Sequence, residues 1–430
     1  MTPPSRPRII PAMFALYEAL LLLAFLVLLP LFAVVGFLRG KYWPNFRERL
    51  GFHRGPGESF DIWIQAVSVG EVAVARALAN QLREGRPDLR MLITTTTITG
   101  QSLANRLFPE ATVTYFPFDF TPSVHRFLQR YRTRMYVAVE TEIWPNTARI
   151  CSRSGARIAI VNGRISDRSF RRYRAIRWIL RHIFVLYDVI LVRSGADRER
   201  FVAIGAPAER VEVTGNLKFD QDVAGENVPS IAADMLELAA GRPIFIAGST
   251  MEGEDEAILP HLPQLIAQGC FVVIAPRKPQ RFEIVGGLLE TSGLRCIRRS
   301  QIGEGLTGEA DLLLLDSIGE LSRLYRHASA AFVGGSLVPN GGHNPIEPVS
   351  GGAPVAFGPH MSNFREIAET FLAEEAAVEV RNATELMAFV SRMIGDEDAR
   401  QGQIERGQGV IRENRGASRR TAGRLLELLE

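Results

Sequence analysis

Three short segments place groups capable of proton transfer or anion binding just where apolar runs end. Ser68-Val69-Gly70-Glu71 follows Asp61–Val67 (DIWIQAV), and Glu140-Thr141-Glu142-Ile143-Trp144-Pro145-Asn146 follows Met135–Val139. Asn216-Leu217-Lys218-Phe219-Asp220 follows Val211–Thr214. A carboxylate so placed can take a proton from an attacking hydroxyl, and an ammonium can stabilise phosphate charge. Each group also has an ordinary reading. Glu71 in a first helical turn complements the helix dipole, Lys218 suits a solvated surface, and Trp144 either stacks on a sugar face or simply packs.

A second set of segments is rich in glycine. Gly248-Ser249-Thr250 and Pro276-Arg277 each follow an apolar run, and Ser317-Ile318-Gly319-Glu320 follows DLLLLD. Val333-Gly334-Gly335-Ser336 leads through Gly341-Gly342-His343-Asn344-Pro345-Ile346-Glu347-Pro348 to Gly351-Gly352. Glycine after a strand lets backbone N–H groups approach an anion at a helix start. GxxxxGK[ST] does not occur, and the single GxGxxG (Gly303–Gly308) precedes the run DLLLLD instead of following a strand, so a dinucleotide dehydrogenase and a P-loop NTPase are not indicated. His343 has no second histidine at metal-ligand spacing, which favours a hydrogen-bonding role.

The elements that must hold these loops are short strands alternating with helices. Asp61–Val67, Met91–Thr96, Ala111–Phe116, Met135–Val139, Arg157–Val161, Val189–Val192 and Val211–Thr214 read as strands. The polar stretch Asp220–Pro229 reads as a linker, after which Pro243–Ala247, Cys270–Ala275, Asp311–Asp316, Ala330–Val333 and Pro354–Phe357 resume the pattern. This alternation predicts an α/β protein with two doubly wound parallel sheets, as two Rossmann-like domains facing a cleft. The expected division is residues 1–55 as anchor and basic connector, 56–225 as an N-terminal domain and 226–430 as a C-terminal domain with terminal helices. Arg171, Arg174, Arg177 and Arg181 fall on one face of a predicted helix, with Ile176, Ile179, Leu180 and Ile183 on another. That is either an ordinary solvated basic face or a surface for anionic lipid.

Ala19–Leu38 carries no charge and has the length of a bilayer-crossing helix, though Pro30 lies within it and Glu18 just before it. Arg6 and Arg8 precede it, whereas Arg39, Lys41, Arg47, Arg49 and Arg54 follow it. The heavier basic flank places the body on the cytoplasmic side. A helix lying in the interface is the other way to use such a run. The net charge of +3 over 430 residues argues against a nucleic-acid partner. The three cysteines (Cys151, Cys270 and Cys296) form no CxxC pair, so neither a zinc site nor a disulfide framework is expected.

Taken in order, the segments SVGE (68–71), ETEIWPN (140–146), GNLKFD (215–220), GSTMEGE (248–254), PRKPQRF (276–282), GELSRLY (319–325) and FVGGSL…GGHNPIEP (332–348) resemble the Kdo (3-deoxy-D-manno-octulosonic acid) transferases. The resemblance runs over nearly the whole chain. It implies a GT-B glycosyltransferase fold, CMP-Kdo as donor and the lipid A precursor lipid IVA as acceptor in lipopolysaccharide synthesis, with no metal or other cofactor. By residue, it implies Glu71 as general base, and Glu140 and Lys218 as groups that stabilise the transition state. Contacts to the CMP-sugar fall to Pro276, Arg277, Ile318, Gly319, Glu320, Asn344, Pro345, Ile346 and Glu347. Met251 and Lys278 depart from the pattern, standing where familiar members carry histidine. If Glu71 faces the cleft unpaired, its replacement by Gln should barely change stability. The alternative within enzymes is another GT-B transferase using a UDP-sugar and a lipid-linked acceptor. Outside enzymes it is an inactive, membrane-tethered glycolipid-binding module.

Overall fold

The computed structural model describes residues 11–39, 45–220, 231–302 and 309–430, with residues 11 and 28–39 described by backbone alone. The expected linker from residue 221 onward, and Arg6, Arg8 and Lys41 of the basic flanks, lie outside these residues. The chain forms two compact units, Met1–Gln221 with Arg415–Glu430, and Asp222–Asn414.

The first unit is built on seven parallel strands: β1 (Glu58–Gln65), β2 (Met91–Thr95), β3 (Thr112–Tyr115), β4 (Tyr131–Val139), β5 (Arg157–Gly163), β6 (Val189–Val192) and β7 (Val211–Val213). Their order across the sheet is β3-β2-β1-β4-β5-β6-β7. A parallel sheet is covered on both faces, so its strands read as unbroken apolar runs, and Met135 through Val139 are all fully buried. Alternation along β1 serves both faces. Trp63 packs with Phe127 and Tyr136 in one cluster, while Ile62 and Ile64 join Leu78 and Leu82 of the helix Val69–Gly85 in the other.

The second cluster also takes Ala422, Leu425 and Leu429 of the last helix, Ala417–Leu429. The Asp220 carboxylate accepts the N–H groups of Gly416 (2.7 Å) and Ser418 (2.6 Å) at that helix's start. The final segment, given to the C-terminal domain in the sequence reading, therefore belongs to the first unit, whose exposed helix face it covers.

The second unit repeats the plan with β8 (Ile244–Thr250), β9 (Phe271–Pro276), β10 (Cys296–Arg298), β11 (Leu312–Leu314), β12 (Ala330–Val333), β13 (Val355–Phe357) and β14 (Ala377–Glu379). The sheet order is β10-β11-β9-β8-β12-β13-β14. The two edge strands, β10 and β14, were not anticipated. Each has three residues and a single buried one, so neither leaves an apolar run to be seen.

At the N-terminus, a helix α1 spans Pro11–Arg39. It lies against the first unit through the buried Phe14 and through Phe25, whose ring meets those of Phe46, Phe118 and Phe120 at 5.3–6.1 Å. Leu16, Leu20, Leu22, Leu23, Leu26 and Val27 stay 51–67% exposed. The crossing helix expected over Ala19–Leu38 is not supported. Among the described residues no helix is long and apolar enough to cross a membrane, and the run's side chains from residue 28 onward lie outside them.

The arginine-rich helix is also two helices, Asp167–Ala175 and Arg177–Phe184, broken at Ile176. Leu180, Ile183 and Phe184 are buried in the core, and the break leaves Ile176 (41%) and Trp178 (62%) exposed beside the exposed Arg171, Arg174, Arg177 and Arg181.

Candidate functional site

In each sheet the chain reverses its direction of growth between two neighbouring strands, β1/β4 in the first unit and β8/β12 in the second. Loops at such a switch point splay apart and leave a crevice beyond the strands' carboxyl ends. Glu71 stands in the first turn of Val69–Gly85, just beyond β1. Glu140 immediately follows β4. The two carboxylates are thus neighbours because their strands are.

Glu71 is 9% exposed. Its carboxylate accepts the Val67 N–H at 2.8 Å and the Ser68 hydroxyl at 2.9 Å. It is therefore paired, because a side chain at this place in a helix folds back onto the residues before the helix. Burial pushes its carboxyl up to about 7, the Val67 bond opposes that rise, and the charges of Glu140 and Glu142 add to it. Glu142 is likewise raised to about 7, first by burial and then by Glu140. A carboxyl titrating near neutral pH can take a proton and still be ionised often enough to act.

Glu140 adopts a left-handed backbone (φ 61°), a conformation that costs a non-glycine residue roughly 1–3 kcal/mol and persists only when its surroundings hold it. Its N–H donates to Val161 O at 2.8 Å, and Thr141 is tied to the Arg164 backbone by its hydroxyl, which accepts the Arg164 N–H at 3.0 Å. The Glu140 carboxylate lies 3.4 Å from Lys218 Nζ. Lys218 sits in the short turn Leu217–Asp220, where Asn162 Oδ1 accepts the Leu217 N–H (3.0 Å) and Asn216 Oδ1 accepts that of Lys218 (3.1 Å). The three residues predicted from sequence are brought together, with Glu142 beside them.

Trp144 packs against Phe116, ring centroids 5.1 Å apart. Asn146 and Thr147 begin the helix Pro145–Arg153, and both donate their N–H groups to Asp119, at 3.0 and 2.7 Å. Asp119 lies in none of the segments singled out from sequence, and only its fold neighbours reveal it.

In the second unit, β8, β9, β11 and β12 deliver the four glycine-rich or basic loops. Pro276 is buried at the end of β9, whereas Arg277 and Lys278 are exposed. The Arg277 N–H donates to Thr250 O at 3.0 Å. Ile318 is 60% exposed and Gly319 takes a left-handed φ of 95°. The Glu320 carboxylate is buried and engaged by Arg299 at 3.1–3.2 Å and by the Ser317 hydroxyl. Asn344 Oδ1 accepts the Ile346 N–H (3.1 Å), and its Nδ2 donates to Glu347 Oε1 (3.2 Å). Pro345 and Ile346 are buried. Burial raises the Glu347 carboxyl, opposed by Asn344 and by the charge of Arg277. Burial lowers the His343 imidazole, the Gly334 carbonyl 2.7 Å from Nδ1 works against that, and Arg277 and Lys278 add to it. Arg277, Lys278, His343 and Glu347 thus share one corner.

A residue not singled out holds this corner together. Glu254, fully buried, accepts the N–H groups of Met251 (2.9 Å), Gly335 (2.6 Å), Ser336 (2.9 Å) and Leu337 (2.9 Å). It ties the loop after β8 to the loop after β12. Asp255 beside it pairs with buried Arg281 at 2.9 Å, tying in the loop after β9. Glycine is required at 335, where a Cβ would meet the His343 ring at 2.7 Å. Met251, one of the two departures noted above, is buried beside that glycine.

The model of the family described as 3-deoxy-D-manno-octulosonic-acid transferase (kdotransferase) matches residues 44–221. The 3-deoxy-D-manno-octulosonic acid transferase of Haemophilus influenzae is 33% identical over 420 residues, covering 96% of this chain and 97% of that protein. The chain belongs to the Kdo transferase family. The transferase of the same name from Bordetella pertussis is 33% identical over 380 residues, covering 86% of this chain and 87% of that one. Among solved structures, a UDP-GlcNAc 2-epimerase from Neisseria meningitidis bound to UDP-GlcNAc superposes with a TM-score of 0.58 at 10% identity, covering 86% of this chain and 99% of that one. That likeness concerns the fold alone. The matched residues 44–221 contain Glu71, Glu140, Glu142 and Lys218, so the whole acidic site of this Kdo transferase family member falls inside the family model.

Proposed function

We propose that the chain transfers Kdo from CMP-Kdo to a hydroxyl of the lipid A precursor lipid IVA, with Glu71 as general base. The observation that carries this reading is the Glu71 carboxyl, raised to about 7 beside Glu140 and Glu142 at the β1/β4 switch point. The acceptor oxygen attacks the anomeric carbon of Kdo, and its proton passes to Glu71. The bond from that carbon to the phosphate oxygen breaks, and CMP leaves as an anion that needs no proton. Lys218 and its partner Glu140 stabilise the charge that develops. The donor binds at Pro276 and Arg277, at Ile318 through Glu320, and at Asn344 through Glu347. In this reading the Arg277 cation and the loop N–H groups face phosphate. Glu320, already bound by Arg299, contributes its backbone, and Glu347 offers a carboxylate to sugar hydroxyls. The division of labour follows residues 56–225 for the acceptor and 226–430 for the donor, with the last helix moved to the first.

The exposed leucine face of α1 rests in the cytoplasmic leaflet of the inner membrane, with α1 lying along the interface. The exposed arginines and Trp178 face the anionic headgroups and the phosphorylated acceptor. The experiment is transfer by purified protein from CMP-Kdo to tetra-acylated lipid A precursor, with products weighed by mass spectrometry. UDP-sugars are run in parallel. Mass gain only with a UDP-sugar overturns the donor assignment, and no gain with either overturns the activity.

A further inference from the structure

The helix α1 is bound to the first unit by more than apolar contact. Tyr17 donates its hydroxyl hydrogen to Asp119 Oδ2 at 3.0 Å. Glu18 accepts the Thr121 N–H (3.0 Å), the Thr121 hydroxyl (2.8 Å) and the Asn146 side-chain amide (2.6 Å). Asp119, 5% exposed, spends its remaining capacity on the Asn146 and Thr147 N–H groups and the Thr147 hydroxyl, and its carbonyl accepts from Asn146 Nδ2 at 2.7 Å. The segment 140–146 is therefore fastened at two ends. One end is Glu140 and Thr141 on β5 and the residue after it, and the other is Asn146 on Asp119 and Glu18. At the first of these fastenings Glu140 keeps its left-handed backbone.

We propose that Tyr17 and Glu18 are positioning residues, through which the docked helix α1 holds segment 140–146 so that Glu140 faces Lys218. A non-glycine residue keeps a positive φ only while its neighbours over-determine it. Loosening the Asn146 end, which Asp119 would then hold without Glu18, gives Glu140 a way to relax and carries its carboxylate off Lys218. The charge at residue 18 then has a use beside an otherwise uncharged run. This rests on the proposed reaction only for its kinetic consequence.

The test uses the full chain carrying Tyr17→Phe or Glu18→Leu. Leucine removes the acceptor and makes the helix more apolar, so an anchoring role and a positioning role predict opposite results. Positioning predicts kcat lower by about tenfold, the scale of a modest misplacement of reacting groups. It predicts KM values within roughly twofold of wild type, and equal or stronger partition onto phosphatidylglycerol–phosphatidylethanolamine vesicles. Amide hydrogen exchange should quicken at residues 140–147 and remain unchanged in β1 and β5. Unchanged kcat, or exchange that quickens throughout the first unit, overturns it. If the protein transfers no Kdo, the proposed function fails, and the exchange result at 140–147 still decides this inference.

Discussion

Replacing Glu71 by Gln separates two accounts of this residue by the sign of a stability change. The carboxyl's midpoint is 4.5 in an unfolded chain and about 7 in the fold, raised above all by burial. The folded state therefore binds the proton more tightly, and its contribution to stability is complete below pH 4.5 and lost as pH rises through 7. At 1.36 kcal/mol for each tenfold in proton affinity, ionisation in the fold costs on the order of 3 kcal/mol by pH 8. Glutamine never ionises. Its oxygen can accept the Val67 N–H, and its amide can donate to a rotated Ser68 hydroxyl, so both present bonds have successors. The variant should then be more stable than wild type at pH 8, equally stable near pH 4, and flatter between. Its turnover should fall by roughly a hundredfold or more, the scale of losing positioned base catalysis.

A carboxylate that merely complements the helix dipole predicts the reverse, with about 0.3–1 kcal/mol of stability lost and turnover nearly intact. Melting temperature from pH 4 to 8, kcat and CMP affinity on one preparation supply the comparison. CMP affinity should not change, because the proposed donor contacts lie in the other unit. A less stable variant of near wild-type turnover would remove Glu71 from the mechanism. In wild type, kcat/KM should rise with pH through an apparent midpoint near 7 that belongs to Glu71 and Glu142 jointly, since the two interact.

Lys218→Gln should lower kcat by roughly a hundredfold while leaving CMP affinity unchanged; equal loss in both would make the residue a structural one. Glu254→Gln turns an amide toward N–H groups that a carboxylate oxygen now accepts, leaving one or two unmet at about 1–3 kcal/mol each. A lower melting temperature and CMP binding weakened by roughly tenfold in calorimetry are expected, and intact CMP affinity would detach this carboxylate from the donor loops. Replacing Arg171, Arg174 and Arg177 with Ser should raise the acceptor KM and flatten its salt dependence, and an unchanged KM assigns that face to solvent.

The parallel sheets were legible because strands buried on both faces leave unbroken apolar runs, such as Met135–Val139. The reversal at β1/β4 and β8/β12 was not, since sheet order depends on which strands pair across long separations. The last helix was misassigned for a similar reason. Its stripe of Ala422, Leu425 and Leu429 says that a face is buried, and only the fold says that Leu78 and Leu82 bury it. In α1, the apolar run was visible, but a side toward Phe46, Phe118 and Phe120 cannot be told from an exposed side when both are apolar.

The carboxylates show where sequence stops being informative about chemistry. Glu71, Glu140, Glu142, Glu254, Asp119 and Asp220 are alike in type, and all but Glu254 and Asp119 stand in the segments singled out at the start. What separates them is how many backbone N–H groups each accepts. Glu254 accepts four, and Asp119 and Asp220 two each, at loops or helix starts that would otherwise leave those groups unmet. Carboxylate oxygens taken up in this way have few lone pairs left to turn toward a substrate, although burial raises the carboxyls of Glu254 and Asp119, the latter to about 6. Glu71 accepts one backbone N–H and one hydroxyl hydrogen, and repulsion from two neighbouring carboxylates adds to its burial. Within the acidic set it therefore combines fixed geometry with a proton affinity suited to neutral pH. The same comparison assigns Glu254 and Asp119 to the work of holding loops, one at the β8/β12 switch point and the other at the helix that follows β4.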